Sequence, residues 1–177
     1  MKFALLSILL FGVALAADLV SGPPIGATTQ SIPVIDVTGQ YKGELTCYVC
    51  EYDKAPNVLA FFRDTSDATA KEIIQLNDLY LKNKSRNFHA VAMVVAGESS
   101  KKWLDDLNRS AHLEIPLTYF RKGPKDPGAK VYNLNPAVAN TFLVTANRSV
   151  VASISDIGPE QFKRVADAAS EMLSGIH

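Results

Sequence analysis

The chain has 177 residues, 47% of them hydrophobic and 20% charged, with Lys+Arg and Asp+Glu balanced at 18 each. That length suits one domain of ordinary size with its own core. A formal net charge of zero, with no dense basic cluster among aromatics, argues against nucleic-acid binding and against electrostatic recruitment to an acidic membrane surface.

Residues 1–16 read as a signal peptide: Lys2 gives a positive start, Phe3 to Leu15 an apolar run, and Ala14-Leu15-Ala16 the small residues of a cleavage site. Asp18 ends the run before the about 20 apolar residues that a membrane span needs. The expectation is a secreted or periplasmic protein, cleaved near Ala16, with no membrane span in the mature chain and a charge of about −1 once Lys2 is gone. Residues 17–56 form an N-terminal extension. It opens with a Gly/Pro-rich lead-in around Gly22-Pro23-Pro24-Ile25-Gly26. A β-like segment, Ile32 to Val37, follows, and Pro33 restricts it to an edge or a strand start. The extension also holds the only two cysteines, Cys47 and Cys50, spaced C-x-x-C.

Residues 57–177 read as the core. Asn57 to Arg63 is an apolar strand of the kind covered on both faces. Asp64 to Asp67 offers N-cap residues, and Ala70, Ile73, Ile74, Asn77, Tyr80 and Leu81 follow at helical spacing, with only Asn77 breaking the stripe. Phe88 to Val95 is a second long strand, and a helix from about Ser100 to Ala111 carries Trp103, Leu104 and Leu107. This β-α-β-α order implies a parallel pair joined by a right-handed crossover. Ile115-Pro116 introduces a short strand, Arg121 to Lys130 reads as a loop, and residues 141–154 read as a hairpin turning at Asn147-Arg148. Pro159 opens a last helix with Phe162, Val165, Ala166, Ala169, Met172 and Leu173 on one stripe.

This order of elements resembles the thioredoxin fold, a three-layer α/β/α sandwich with a mixed central sheet. Glu114-Ile115-Pro116-Leu117-Thr118 resembles that family's proline loop, whose X-Pro bond is cis and which faces the start of the active-site helix. Gly26 and Ile35-Asp36-Val37-Thr38-Gly39 resemble the lead-in of the redoxin branch. The pattern Cys47, Tyr48, Cys50, Tyr52 is similar to that of exported thioredoxin-like proteins in bacteria. Laid on the family's first core strand, Leu59 to Phe62 puts Ser66 and Thr69 where the redox thiols belong, and alcohols cannot run disulfide exchange. The resemblance therefore implies a binding edge made by Ile115, Pro116, Ser66 and Thr69 without its thiols.

Two readings of the cysteines stay open. One is a displaced thiol–disulfide pair acting on a protein or small-thiol partner. The other is a structural disulfide in a non-catalytic binding module, for which a ring this small contributes only about 2 kcal/mol. Glu51 and Asp53 would raise a thiolate's pKa rather than lower it. Because the cysteines precede the first core strand, the expectation is that they sit at its N-terminal end, far from Pro116, with little general reductase activity. No cofactor and no metal site is expected: His89, His112 and His177 lie far from the cysteines in sequence, and Glu51 after Cys50 rules out a C-x-x-C-H haem attachment. Helix capping accounts for Ser66 without a nucleophilic role. Asn83, Asn108 and Asn147 stand in Asn-x-Ser triplets that a eukaryotic secretory host could glycosylate.

Overall fold

The computed structural model describes residues 19–175; the expected leader and His177 lie outside them. Seven strands form one sheet: β1 (Val34–Asp36), β2 (Leu45–Thr46), β3 (Asn57–Phe62), β4 (His89–Val94), β5 (Leu117–Tyr119), β6 (Asn140–Ala146) and β7 (Ser149–Ser155). Their spatial order is β2-β1-β5-β4-β3-β6-β7. The three middle strands β5, β4 and β3 run parallel, and the pairs flanking them are antiparallel. Every residue of β3 and β6 is buried, as a continuous apolar run covered on both faces requires.

Alternation along the strands sorts side chains into two layers. Val58, Ala60 and Phe62 of β3 and Ala90, Ala92 and Val94 of β4 face the helices α2 (Asp67–Asn83), α3 (Lys101–Ala111) and α5 (Lys163–Ser174). Leu59, Phe61, Val91 and Met93 face the other way, toward α1 (Tyr48–Tyr52), α4 (Pro127–Val131) and the lead-in segment around Ile32. The three-layer sandwich with a mixed sheet is what the sequence implied. The lead-in is built into it: Gly26 and Thr29 donate backbone hydrogen bonds to the β7 side at Val150 and Arg148, and β1 pairs directly with β5.

Two local expectations need correction. The stretch 121–130 is not all loop, because Asp126 accepts from the Gly128 N–H and Pro127 occupies the first turn, together starting α4. The α2 stripe is shifted: Glu72 and Leu76 are buried, whereas Leu81 is 38% exposed. The 147–148 turn matches expectation, with both residues at positive φ, as a two-residue hairpin turn of the primed type demands. Pro33 precedes β1, a strand start rather than an edge, since β2 covers β1's outer side.

Candidate functional site: a dithiol held on an aromatic platform

Two residues after β2 begins, the chain leaves the sheet edge at Cys47, whose extended backbone makes it the N-cap of α1. Its Sγ accepts from the Cys50 N–H at 3.2 Å, and its carbonyl accepts from Cys50 and Glu51. Cys47 and Cys50 are joined as a disulfide with Cα atoms 5.3 Å apart. Cys47 is half-buried and Cys50 exposed, with the Cys50 Sγ 3.3 Å from the Ser31 hydroxyl.

The residues between and after the sulfurs hold this turn down. Tyr48 donates its hydroxyl to Asp36 at 2.6 Å, Val49 is 3% exposed, and Tyr52 donates to the Ala90 carbonyl at 3.0 Å. Burial, and then the bond to Asp36, pushes the Tyr48 phenol far above its ordinary pKa; burial does the same for Tyr52. Both stay neutral donors. Tyr52 also stacks on His89 at a centroid distance of 4.6 Å, and burial holds the His89 imidazole below its usual pKa. Asp36 itself accepts from the backbone N–H groups of Thr38, Gly39 and Tyr41, so one buried carboxylate organises the turn after β1 and the dithiol helix together. Asp53 at φ 43° ends the helix by returning its N–H to Val49.

The expected binding residues are not brought together. No peptide bond among the described residues is cis, so the expected cis Ile115–Pro116 bond is trans. The physical reason lies in the topology. The strand that pairs antiparallel with β3 is β6, preceded by Val138-Ala139, while the proline-led β5 runs parallel to β4. Ile115 and Pro116 therefore sit at the start of β5, with Pro116 level with Val91 in the middle of β4. Ser66 and Thr69 follow β3 beyond Phe62, three residues past the level of Leu59 and Pro116, so roughly 10 Å of strand lies between them and the proline along the sheet. Ile115 is buried, and its N–H and that of Glu114 are held by the Asn77 side-chain oxygen, which explains the break in the α2 stripe.

The dithiol does lie over the N-terminal end of β4, as Tyr52 on Ala90 requires. Pro116 lies close to it rather than far away: its Cβ and the Tyr48 hydroxyl both pack against Gly39. Sequence reasoning placed the proline on the wrong side because it lacked the pairing partner of β5.

At the opposite end, Ser66 caps α2 by accepting from the Thr69 N–H, and the Thr69 hydroxyl donates to Asp64 at 2.8 Å. Both alcohols serve the helix start. Behind them Glu72, 2% exposed, accepts from Asn140 Nδ2 at 2.9 Å, and Asn140 also bridges the backbone of Ile157. Burial pushes its carboxyl up to about 7 against the opposing pull of Asn140. The sequence reading missed Glu72, although its spacing from Thr69, Ile73 and Leu76 puts it on the buried face of α2. His112 caps α3 at the surface and His89 bonds Asn87, and among the described residues no group of three or more His, Cys, Asp or Glu side chains could hold a metal ion.

Neither a protein-family model nor a curated protein sequence matches the chain. Solved structures do. Peroxidoxin BcpB from Mycobacterium tuberculosis is 18% identical, over 86% of this chain and 97% of its own, at a TM-score of 0.66. A putative protein disulfide isomerase from Bacteroides thetaiotaomicron is 15% identical, over 88% and 95%, also at 0.66. A putative thiol:disulfide interchange protein DsbE from Chlorobium tepidum is 14% identical, over 85% and 98%, at 0.66. The fold is thioredoxin-like. In this thioredoxin-like chain the sulfurs stand before β3 and on the sheet face opposite α2, while the start of α2 carries the alcohols Ser66 and Thr69 and no sulfur.

Proposed function

We propose that the protein is an exported thiol–disulfide exchange module working through Cys47 and Cys50, with Cys50 as the sulfur that partners reach. The observation carrying this is the asymmetry of the pair: an exposed Cys50 beside a half-buried Cys47 whose sulfur already receives the Cys50 N–H. A thiolate attacks the Cys50 sulfur, the S–S bond breaks, and Cys47 leaves as a thiolate accepting that N–H. A second thiol then releases the partner disulfide, and two electrons have passed to the protein. The Cys50 N–H, 3.2 Å from the Cys47 sulfur, is placed to stabilise the thiolate as it leaves.

The alternative, a purely structural staple in a non-catalytic binding module, is less well supported. Tyr48, Val49 and Tyr52 already hold α1, so a bond over so short a loop adds only about 2 kcal/mol to what they provide. The test equilibrates the protein with redox buffers, traps thiols by alkylation and follows the fold by circular dichroism. Reversible two-electron reduction above about −300 mV with the fold intact is expected. A disulfide that resists to lower potentials, or a protein that unfolds on reduction, overturns the reading. Export through residues 1–16 is part of the proposal: the secreted protein should begin at Ala17 or within a few residues, and an intact Met1 outside the cell would refute it.

A further inference from the structure

A cleft of about 250 Å³ is lined by Ser31, the residue that touches the exposed Cys50 sulfur. Its position follows from the register of the edge strands. Val34 opposes Thr46 in the antiparallel β1–β2 pair, so the segment Ser31 to Pro33 runs alongside the start of the dithiol helix. On its other side this segment meets α4, where Gly128 is packed against Ile32 closely enough that a Cβ would lie 2.8 Å from its Cδ1. Ser31 and Pro33 thus form the floor between the disulfide and α4, and Ser31 is the residue whose hydroxyl lies 3.3 Å from the Cys50 sulfur.

Two features of the walls describe a ligand. Leu45 and Val131, 49% and 51% exposed, face the cleft with apolar surface that no other described residue covers. Arg121 and Lys122 supply positive charge, and among the described residues neither side chain forms an ion pair. The carboxylate in the lining, Asp126, accepts from the backbone N–H groups of Lys122 and Gly128 and so serves the start of α4. Glu51, the acid next to Cys50, is held on the other flank by Gln40 and Tyr41.

We infer that this cleft binds a small thiol or disulfide bearing carboxylates, of tripeptide size or less, and delivers its sulfur to Cys50. The inference rests on the exchange reading above and names its substrate class. The volume lies just below the usual range for ligand pockets, which favours a small molecule over a folded partner. Carboxylates meet Arg121 and Lys122, the stem lies on Leu45 and Val131, and the sulfur passes Ser31. The chemistry balances as two thiolates consumed and one disulfide released: the first forms a mixed disulfide with Cys50 as Cys47 leaves, and the second attacks the ligand's own sulfur as Cys50 leaves.

Opening of the disulfide is followed by alkylation and mass spectrometry, using reduced glutathione and neutral 2-mercaptoethanol at equal thiolate concentration. The proteins are the wild type, Arg121→Glu/Lys122→Glu, and the equally charged control Lys71→Glu/Lys82→Glu on α2. Steering by a charged cleft changes association rates by about tenfold or more. Glutathione should open the wild type and the control faster than 2-mercaptoethanol does, and the cleft variant should lose that advantage by about tenfold. The 2-mercaptoethanol rate should be alike in all three. Equal loss in cleft and control variants, or no loss in either, overturns the cleft while 2-mercaptoethanol opening keeps the exchange reading. A ten-residue acidic cysteine peptide outpacing glutathione reassigns the cleft to polypeptides and overturns the small-ligand inference. A wild-type disulfide that neither thiol opens removes the exchange reading and the cleft assignment together.

Discussion

Glutamine at position 72 should make this protein more stable above neutral pH, because the native glutamate is buried, among the described residues, without a cation. Glu72 is 2% exposed, its side chain accepts from the Asn140 amide, and Asp64 and Glu160 add like charge nearby. Burial dominates and raises the carboxyl from 4.5 to about 7. Between those values the folded state holds a proton that the unfolded chain has released, so stability falls as pH rises through this window and is restored on acidification. At about 1.4 kcal/mol per unit, the full loss is on the order of 3 kcal/mol, complete by about pH 8. Glu72→Gln keeps an oxygen for Asn140 and cannot ionise. Urea unfolding at pH 5 and pH 8 should therefore show the variant level with wild type within about 1 kcal/mol at the lower pH and about 2–3 kcal/mol more stable at the higher. Parallel pH profiles for the two proteins, or a variant less stable at pH 8, would refute the argument.

Three further outcomes follow from the same contacts. Cys47→Ala/Cys50→Ala should lower stability by about 2 kcal/mol yet leave the fold intact, checked by circular dichroism and denaturant titration, because the tyrosines hold α1. Asn77→Ala strands the Glu114 and Ile115 N–H groups and should cost about 2 kcal/mol, with proteolysis appearing first between His112 and Pro116. Gly39→Ala would place a methyl 2.7 Å from Asp36 Oδ2 and against the Tyr48 hydroxyl and Pro116; a melt several degrees lower is expected, and an unchanged melting temperature would contradict the packing of that corner.

Local rules carried the reading of the sequence a long way. The run Asn57 to Phe62, the turn at Asn147-Arg148 and the stripe from Phe162 to Leu173 each declare their structure within a dozen residues, and each is found as expected. What failed was non-local. Nothing near Pro116 says that its strand inserts between β1 and β4, so a local likeness put it beside the start of α2. Glu72 gains its character from Asn140, 68 residues away. The five-residue helix at Tyr48–Tyr52 is too short for periodicity to announce, and its stability comes from Asp36 and Ala90 on other strands. The dithiol was legible as a pair and its end of the sheet was legible too, whereas the platform beneath it was not.

The placement of α1 on the sheet margin also divides the molecule by how its amides open. β3 lies four strands in from one edge and two from the other, and its N–H groups become accessible to solvent deuterium only when the whole domain unfolds. The two-residue edge strand β2 and the single turn of α1 can loosen while that interior stays closed. Deuterium uptake should thus separate the oxidised and reduced protein at residues 45–53 and leave residues 57–62 superimposable. A change in redox state would be written on the rim of the sheet, where another molecule can read it, at no cost to the part that keeps the protein folded.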